Sequence, residues 1–257
     1  MEFEGKTALV TGSSREIGKA IALGLAEKGA QVVVNHRDSA EDAEEVAHAI
    51  HKMGAKAIVV KADVTERSQV EAMAKKIGAE FGSVDILVNN VGTSTRVPFL
   101  KLTDEDWHQL FAINAHSCFY VTQTFIKGMV DKKWGRIINI TGHASLRGSP
   151  HSAHIVAAKG AVMAFTRAIA TEFALHGITC NNVAPAKTEN NLPRHRYYRD
   201  FSEEVQQEWN DQWERAIPMK RGATLKEFAS LCIYLASEDA AYLTGQTYLV
   251  NGGMMFL

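Results

Sequence analysis

The sequence lacks an excess of either charge. Its 257 residues carry 28 Lys+Arg against 29 Asp+Glu, giving a formal net charge of -1 and a pI of about 6.8. A balance so even argues against a nucleic-acid binder. Cysteine is scarce: Cys118, Cys180 and Cys232 are odd in number, far apart and form no CxxC pair. That argues against a thiolate metal site and further against a disulfide framework. Proline (5) and glycine (19) are ordinary in number, which excludes fibrous and low-complexity classes. The first residues, MEFEGKTALV, are acidic and enter an apolar strand at once, unlike a signal peptide. No apolar run is read as approaching the roughly 18 residues that a membrane helix needs. The expectation is a reduced, cytoplasmic protein with neither a membrane nor a nucleic-acid partner.

What is present is patterned. Hydrophobic residues make up 46% of the chain and charged residues 22%, an ordinary globular composition. Short β-branched runs alternate with amphipathic stretches. KTALVT (6–11), QVVVN (31–35), KAIVVK (56–61), DILVN (85–89), GRIINIT (135–141), residues 178–183 and residues 247–250 read as strands. Residues 17–28, 39–53, 66–81, 103–130, 153–176 and 224–237 read as helices, several closed by glycine. This alternation predicts an α/β fold: one Rossmann-like, doubly wound parallel sheet of about seven strands with helices on both faces. No linker, repeat or charge block divides the chain, so 1–257 reads as one domain.

Residues 186–221 break the rhythm. They carry Arg194, His195, Arg196, Tyr197, Tyr198, Arg199, Phe201, Trp209 and Trp213. The segment reads either as a solvated helical insertion with one packed aromatic face or as a lid over a substrate pocket. Its place beyond the carboxyl ends of the strands favours the lid.

Between the first strand and first helix lies TGSSREIG, residues 11–18. A glycine-rich turn there lets backbone N–H groups approach a pyrophosphate at a helix N-terminus. Asp63-Val64 follows the third strand and Asn89-Asn90-Val91-Gly92 the fourth. Asn114, GRIINIT, Lys159, Pro185 and LTGQTYLVNGG complete the set. Over nearly its whole length the chain resembles the short-chain dehydrogenase/reductase family, in its classical form.

That resemblance implies a nicotinamide cofactor and hydride transfer to or from a small carbonyl or alcohol. It also implies a homotetramer or homodimer, with the apolar residues 230–257 at an interface. The implied cofactor-binding residues are Gly12, Ser14, Arg15, Ile17, Gly18, Arg37, Asp63, Val64, Asn89, Gly92, Lys159 and Pro185. NAD-preferring members carry an acid where this chain has His36, followed by Arg37. An arginine pairs bidentately with a 2'-phosphate, which favours NADP over NAD, with Arg15 adding charge; Arg37 reads equally as a surface charge. Asp38 falls past the strand end and reads as a solvated loop acid.

Three positions depart from the family. Glu16 stands where the loop has its middle glycine. There it either repels a pyrophosphate or steadies the first helical turn through the macrodipole. The family's catalytic Ser and Tyr positions hold Gly142 and Ile155, while its Asn and Lys are kept as Asn114 and Lys159. Two histidines, His143 and His151, are the candidate replacement proton donors. His143 follows the lost Ser, and His151 stands one helical turn before Ile155 if the helix has begun by then. His154 is ranked below them because it projects about 100° from Ile155. All three also read as surface or loop histidines, and no paired ligand spacing supports a metal site. Smaller departures are Ala186 after Pro185 and Asn251 in the terminal motif.

Three functions fit. The first is an NADP(H)-dependent oxidoreductase of a small-molecule substrate with a non-standard catalytic centre. The second is a non-redox enzyme on the same fold, performing elimination, hydration or carbon–carbon chemistry. The third is a catalytically silent subunit of a mixed oligomer.

Overall fold

Strand and helix alternate from the first turn of the chain. The structure, a computed structural model, describes residues 1–189 and 201–256. Strand β1 (Thr7–Val10) leads to α1 (Glu16–Glu27), β2 (Gln31–His36) to α2 (Ala40–Lys52), and β3 (Ala57–Lys61) to α3 (Arg67–Phe81). After β4 (Ile86–Asn89) come α4 (Asp104–Phe111), a π-turn at Ala112–His116, and α5 (Ser117–Lys132). Then follow β5 (Gly135–Ile140), α6 (Ala144–Arg147), α7 (Ala153–Phe173), β6 (Ile178–Pro185), α8 (Glu203–Ala216), α9 (Leu225–Ala236) and β7 (Thr247–Val250).

The seven strands form one parallel sheet in the order β3-β2-β1-β4-β5-β6-β7. The chain reverses its direction of travel across the sheet between β1 and β4. Such a switch point opens a crevice at the carboxyl ends of the strands. Both faces are buried because side chains alternate along each strand. Ala8 and Val10 of β1 pack with Ile21, Leu25, Val46 and Phe228 of α1, α2 and α9. Leu9 packs the other way, with Val70, Met73, Val121 and Phe125 of α3 and α5.

Helix α7 and the 3₁₀ turn after it, Ala153–His176, are long and apolar enough by composition to cross a membrane, with mean hydropathy 1.2. This corrects the expectation that no such run exists. The helix packs on β6 and places Ala158, Val162 and Met163 in the interior.

The expected 103–130 helix is interrupted. A capping box starts it: Thr103 accepts from the Asp106 amide, and Asp106 accepts from the Thr103 amide. Asn114 Nδ2 then donates to the Leu110 carbonyl, 3.0 Å, four residues back. A side chain that takes this carbonyl displaces a rung of the helical ladder, and the π-turn results. The described part of the 186–221 segment contains α8; Arg194, His195, Arg196, Tyr197, Tyr198, Arg199 and the Trp213 side chain lie outside the described residues.

Polar side chains cross the floor of the sheet. Asn89 Nδ2 donates to Asn139 Oδ1 (2.8 Å), and Asn139 Nδ2 to Thr166 Oγ1 (2.8 Å). Thr166 Oγ1 lies 2.8 Å from Asn182 Oδ1, and Asn182 Nδ2 donates to Thr247 Oγ1 (3.2 Å). At the opposite end, the buried Asp85 carboxylate accepts from the Thr7 amide (2.9 Å) and from Lys132 Nζ (2.7 Å). Asp85→Ala strands the buried Thr7 amide and releases Lys132 to solvent. The expected cost is about 2 kcal/mol in urea unfolding, with ligand binding at the far end of the strands unchanged.

Candidate active site

A cleft of about 510 Å³ opens at the switch point, between α1 and the ends of β1, β2 and β4. Its glycines are there because nothing larger fits. Gly12 adopts φ +62. A Cβ on Gly18 would stand 2.7 Å from Asn90 Nδ2 and 2.9 Å from Ser13 Cα. Asn90 Nδ2 binds the Thr11 and Gly12 carbonyls at 2.9 and 3.2 Å, and Asn35 Oδ1 accepts from the Gly12 amide at 3.1 Å. Sequence reasoning assigns Asn90 no role of its own; its signal is the second Asn of the NNVG run.

Glu16 lines the same cleft at the first position of α1, with φ +51. The backbone there keeps a left-handed shape that suits glycine and strains a residue with a Cβ, by roughly 1–2 kcal/mol.

Of the expected binding residues, Gly12, Ser14, Arg15, Ile17, Gly18, Arg37, Asp63, Val64, Gly92 and Lys159 all line the cleft. Arg37 donates to Asp38 Oδ2 at 2.6 Å and stands 3.7 Å from Asp63 Oδ2; the neighbouring acids raise its pKa. Asp38 is the solvated loop acid expected past the end of β2, and it also lines the cleft. Arg15 Nη2 donates to Ser39 Oγ at 2.9 Å, so both guanidiniums flank the β2 end of the cleft. His36 extends β2 by one residue beyond expectation and is buried, which lowers its pKa.

Two expected residues fall elsewhere. Asn89 lies beneath the cleft, its amide spent on Thr122 and Asn139. Pro185 ends β6 and is absent from the cleft lining; its carbonyl accepts from the His143 amide at 3.2 Å and faces His143 Nδ1 at 3.0 Å.

Lys159 reaches into the cleft from α7. It is 8% exposed, and its Nζ donates to the Ile140 carbonyl at 2.8 Å. Burial pulls its pKa down to about 8, offset in part by Cys118. Asn114 comes to the same point: a Cβ on Gly92 would meet Lys159 Nζ at 2.7 Å and Asn114 Oδ1 at 2.9 Å. The π-turn thus brings a buried amide beside a buried amine. Thr141 lines the wall between Ile140 and Gly142, and its buried hydroxyl lacks a hydrogen-bond partner among the described residues. It too is silent in the sequence, as the last residue of the fifth strand pattern.

At Gly142 a Cβ would meet nothing within 4 Å, while Ile155 is buried. The histidines separate. His143 is buried, and its Nδ1 must carry the proton because a carbonyl only accepts. Nε2 is therefore the basic nitrogen. Burial lowers the His143 pKa, helped by Arg147 and Arg96 and opposed by the Pro185 carbonyl.

His151 lies outside α7, which begins only at Ala153 behind Ser152. It adopts φ +57, and its ring stands 5.1 Å from Phe201 and 5.4 Å from Trp209. This corrects its expected place one turn before Ile155. His154 is buried with Nε2 3.2 Å from Thr95 Oγ1. Among the described residues, no group of three His, Cys, Asp or Glu side chains is placed to hold a metal ion.

Comparison with known proteins agrees with this architecture. A family model described as enoyl-(acyl carrier protein) reductase matches residues 12–255. The chain is 38% identical to 3-oxoacyl-[acyl-carrier-protein] reductase FabG of Vibrio cholerae, over 100% of both chains. It is 38% identical to the protein of that name from Escherichia coli, over 99% of each. With the Staphylococcus epidermidis protein of that name the identity is 36%, over 97% of this chain and 98% of the relative. A parallel sheet with its switch at β1/β4, a glycine cradle under α1, and full-length identity to these reductases place the chain in the short-chain dehydrogenase/reductase family of oxidoreductases.

Proposed function

We propose that the protein is an NADP(H)-dependent oxidoreductase of a small carbonyl or alcohol, with a non-standard catalytic centre. The observation that carries this is the convergence of Lys159 Nζ and Asn114 Oδ1 on Gly92, at the mouth of the glycine cradle. The relatives' names describe reduction of a 3-oxoacyl group, and we carry over carbonyl reduction alone.

The residues present fit a dinucleotide. Gly12 and Gly18 keep side chains out of the cradle, and the backbone of Ser14 and Ile17 leads into a helix N-terminus. Arg37 and Arg15 supply the charge that a 2'-phosphate needs. When bound, NADP(H) gives or takes the hydride. Lys159, held by the Ile140 carbonyl, takes the ribose side, with Asn114 close by across Gly92. With Gly142 and Ile155 at the positions of the family's Ser and Tyr, no hydroxyl from those two residues reaches the substrate oxygen. On this reading the proton moves at His143 Nε2, and His151 is set aside with its aromatic neighbours. Cytoplasmic residence is supported by three buried free thiols. Self-association as a homotetramer or homodimer is supported by the exposed Tyr234, Tyr242 and Phe256.

Glu16 opposes the cofactor's pyrophosphate. At ~5 Å and an effective dielectric of ~20, one such pair costs roughly 3 kcal/mol. Calorimetric titration is expected to show micromolar NADPH binding, weaker NADH binding, and tighter NADPH binding by up to about a hundredfold in Glu16→Gly. Glu16→Ala removes the charge and keeps the strain, so it gains in affinity without gaining in thermal stability. Absence of binding for both nucleotides in parent and variant overturns the reading.

Two further outcomes follow from the proton path. Reduction needs His143 protonated, and its pKa is lowered from 6.5. The reductive kcat therefore rises as pH falls through a value below 6.5, and the oxidative kcat falls. His143→Asn removes that limb of the profile. Restoring the hydroxyls with Gly142→Ser and Ile155→Tyr together is expected to raise kcat on a simple ketone by about a hundredfold or more; an unchanged kcat speaks against the assignment of those positions.

A further inference from the structure

Two residues of the cleft wall carry a buried polar atom without a hydrogen-bond partner among the described residues: His36 at Nδ1 and Thr141 at Oγ1. His36 ends β2, three strands away from β5 in the order of the sheet. Thr141 follows β5 directly, beside Lys159, and is 5% exposed. Ser145 and Thr179 also have unpartnered hydroxyls, but neither lines the cleft. A buried hydroxyl left unpaired is costly, and at Thr141 a ligand oxygen can supply the missing partner.

The backbone and α7 fix the placement of this hydroxyl. Asn139 and Thr141 lie two residues apart along the β5 direction, so their side chains leave the same face of the sheet. Asn139 Nδ2 donates to Thr166 Oγ1 of α7, so that face looks onto α7. Lys159 lies two turns before Thr166 on the same side of that helix. Its Nζ donates at 2.8 Å to the Ile140 carbonyl, which belongs to the peptide group joining Ile140 to Thr141. The Thr141 amide donates to the Val183 carbonyl at 2.9 Å and the His143 amide to the Pro185 carbonyl at 3.2 Å, so β6 pins the backbone on either side of Gly142. Beside Thr141 there is room for a ligand: a Cβ at Gly142 would meet nothing within 4 Å.

We propose that Thr141 Oγ1 donates a hydrogen bond to the substrate's carbonyl oxygen and polarises it for hydride attack. This role rests on the oxidoreductase reading and deepens it by naming the group that meets the reacting oxygen. That oxygen gains negative charge as the hydride arrives. A hydroxyl beside a buried amine stabilises the developing charge more than the neutral carbonyl. Threonine is stiff about χ1 and its backbone here is pinned, so the donor needs little reorganisation. Thr141 keeps its proton throughout; the proton that completes reduction comes from another group.

The test uses Thr141→Val, which keeps the shape and removes the hydroxyl, and Thr141→Ser, which keeps the hydroxyl. Both are measured in the intact protein with NADPH and two ketone probes, cyclohexanone and ethyl acetoacetate. Thr141→Val is expected to lower kcat by about tenfold to a hundredfold, with KM and NADPH affinity within about twofold of the parent. Thr141→Ser recovers most of the loss. In urea without ligand, Thr141→Val unfolds at the same midpoint as the parent or a higher one, because an unpaired polar group has gone. A merely structural threonine would lose stability and activity together. Unchanged kcat in Thr141→Val overturns the proposal and leaves the oxidoreductase reading in place. So does a loss confined to NADPH binding, which puts the hydroxyl on the cofactor, and so does a lowered urea midpoint, which means the hydroxyl is bonded within the protein. A parent that binds no nicotinamide nucleotide, or reduces neither ketone, removes the oxidoreductase reading and this role with it.

Discussion

The close approach of the α1 N-terminus to the ends of β1 and β4 is the contact on which the cleft depends. Gly18 sits against the Gly12 carbonyl, the Asn90 side-chain amide and the Ser13 backbone, so the helix start is set by close backbone packing and by that amide. Asn90 ties the Thr11 and Gly12 carbonyls, while Asn35 and Ser13 tie the other side of the turn. Everything else at the site is placed relative to that junction. Arg37 and Asp63 project from the ends of neighbouring strands, and Lys159 reaches up from beneath. With the turn tied by Asn90, Asn35 and Ser13, Glu16 is held in a backbone shape that suits glycine.

Two kinds of constraint meet at this end of the sheet. The cradle, the buried amine and the amide of the π-turn are geometrically interlocked: moving Gly92 outward by one methyl would collide with Lys159 and Asn114 at once. At Gly142 the structure opens onto free space, and Ile155 is a buried side chain without a polar atom. The proposed function follows this division. It retains the interlocked groups in roles that packing alone would preserve, and assigns the proton to a histidine whose tautomer a backbone carbonyl dictates.

Much of this is legible in the sequence, because hydrophobic period and glycine placement report directly on a parallel sheet. The strands fall within a residue or two of their expected bounds, and ten of the twelve named binding residues line the cleft. The misses share a physical cause. Asn89 and Pro185 sit on strand ends whose side chains and carbonyls can face the cleft or the layer beneath, and one-dimensional spacing does not distinguish the two. Counting back along a helix misplaces His151, because the helix begins at Ala153 and φ +57 turns the chain away. The π-turn is invisible because Asn114 reads as an ordinary helical residue until its amide takes the Leu110 carbonyl.

The row of Asn and Thr side chains under the sheet has a consequence for strand alignment. Parallel strands buried on both faces read as near-continuous apolar runs, and such runs slide past one another at little cost in hydrophobic contact. Asn139, Asn182 and Thr247 cannot slide. A shift of one residue would turn each of these polar side chains to the opposite face of the sheet, where Val, Ile and Leu offer no hydrogen-bond partner, at roughly 1–3 kcal/mol for each stranded group. The row therefore works as a set of dowels through β4, β5, β6 and β7. They specify one alignment among several that hydrophobicity alone would accept.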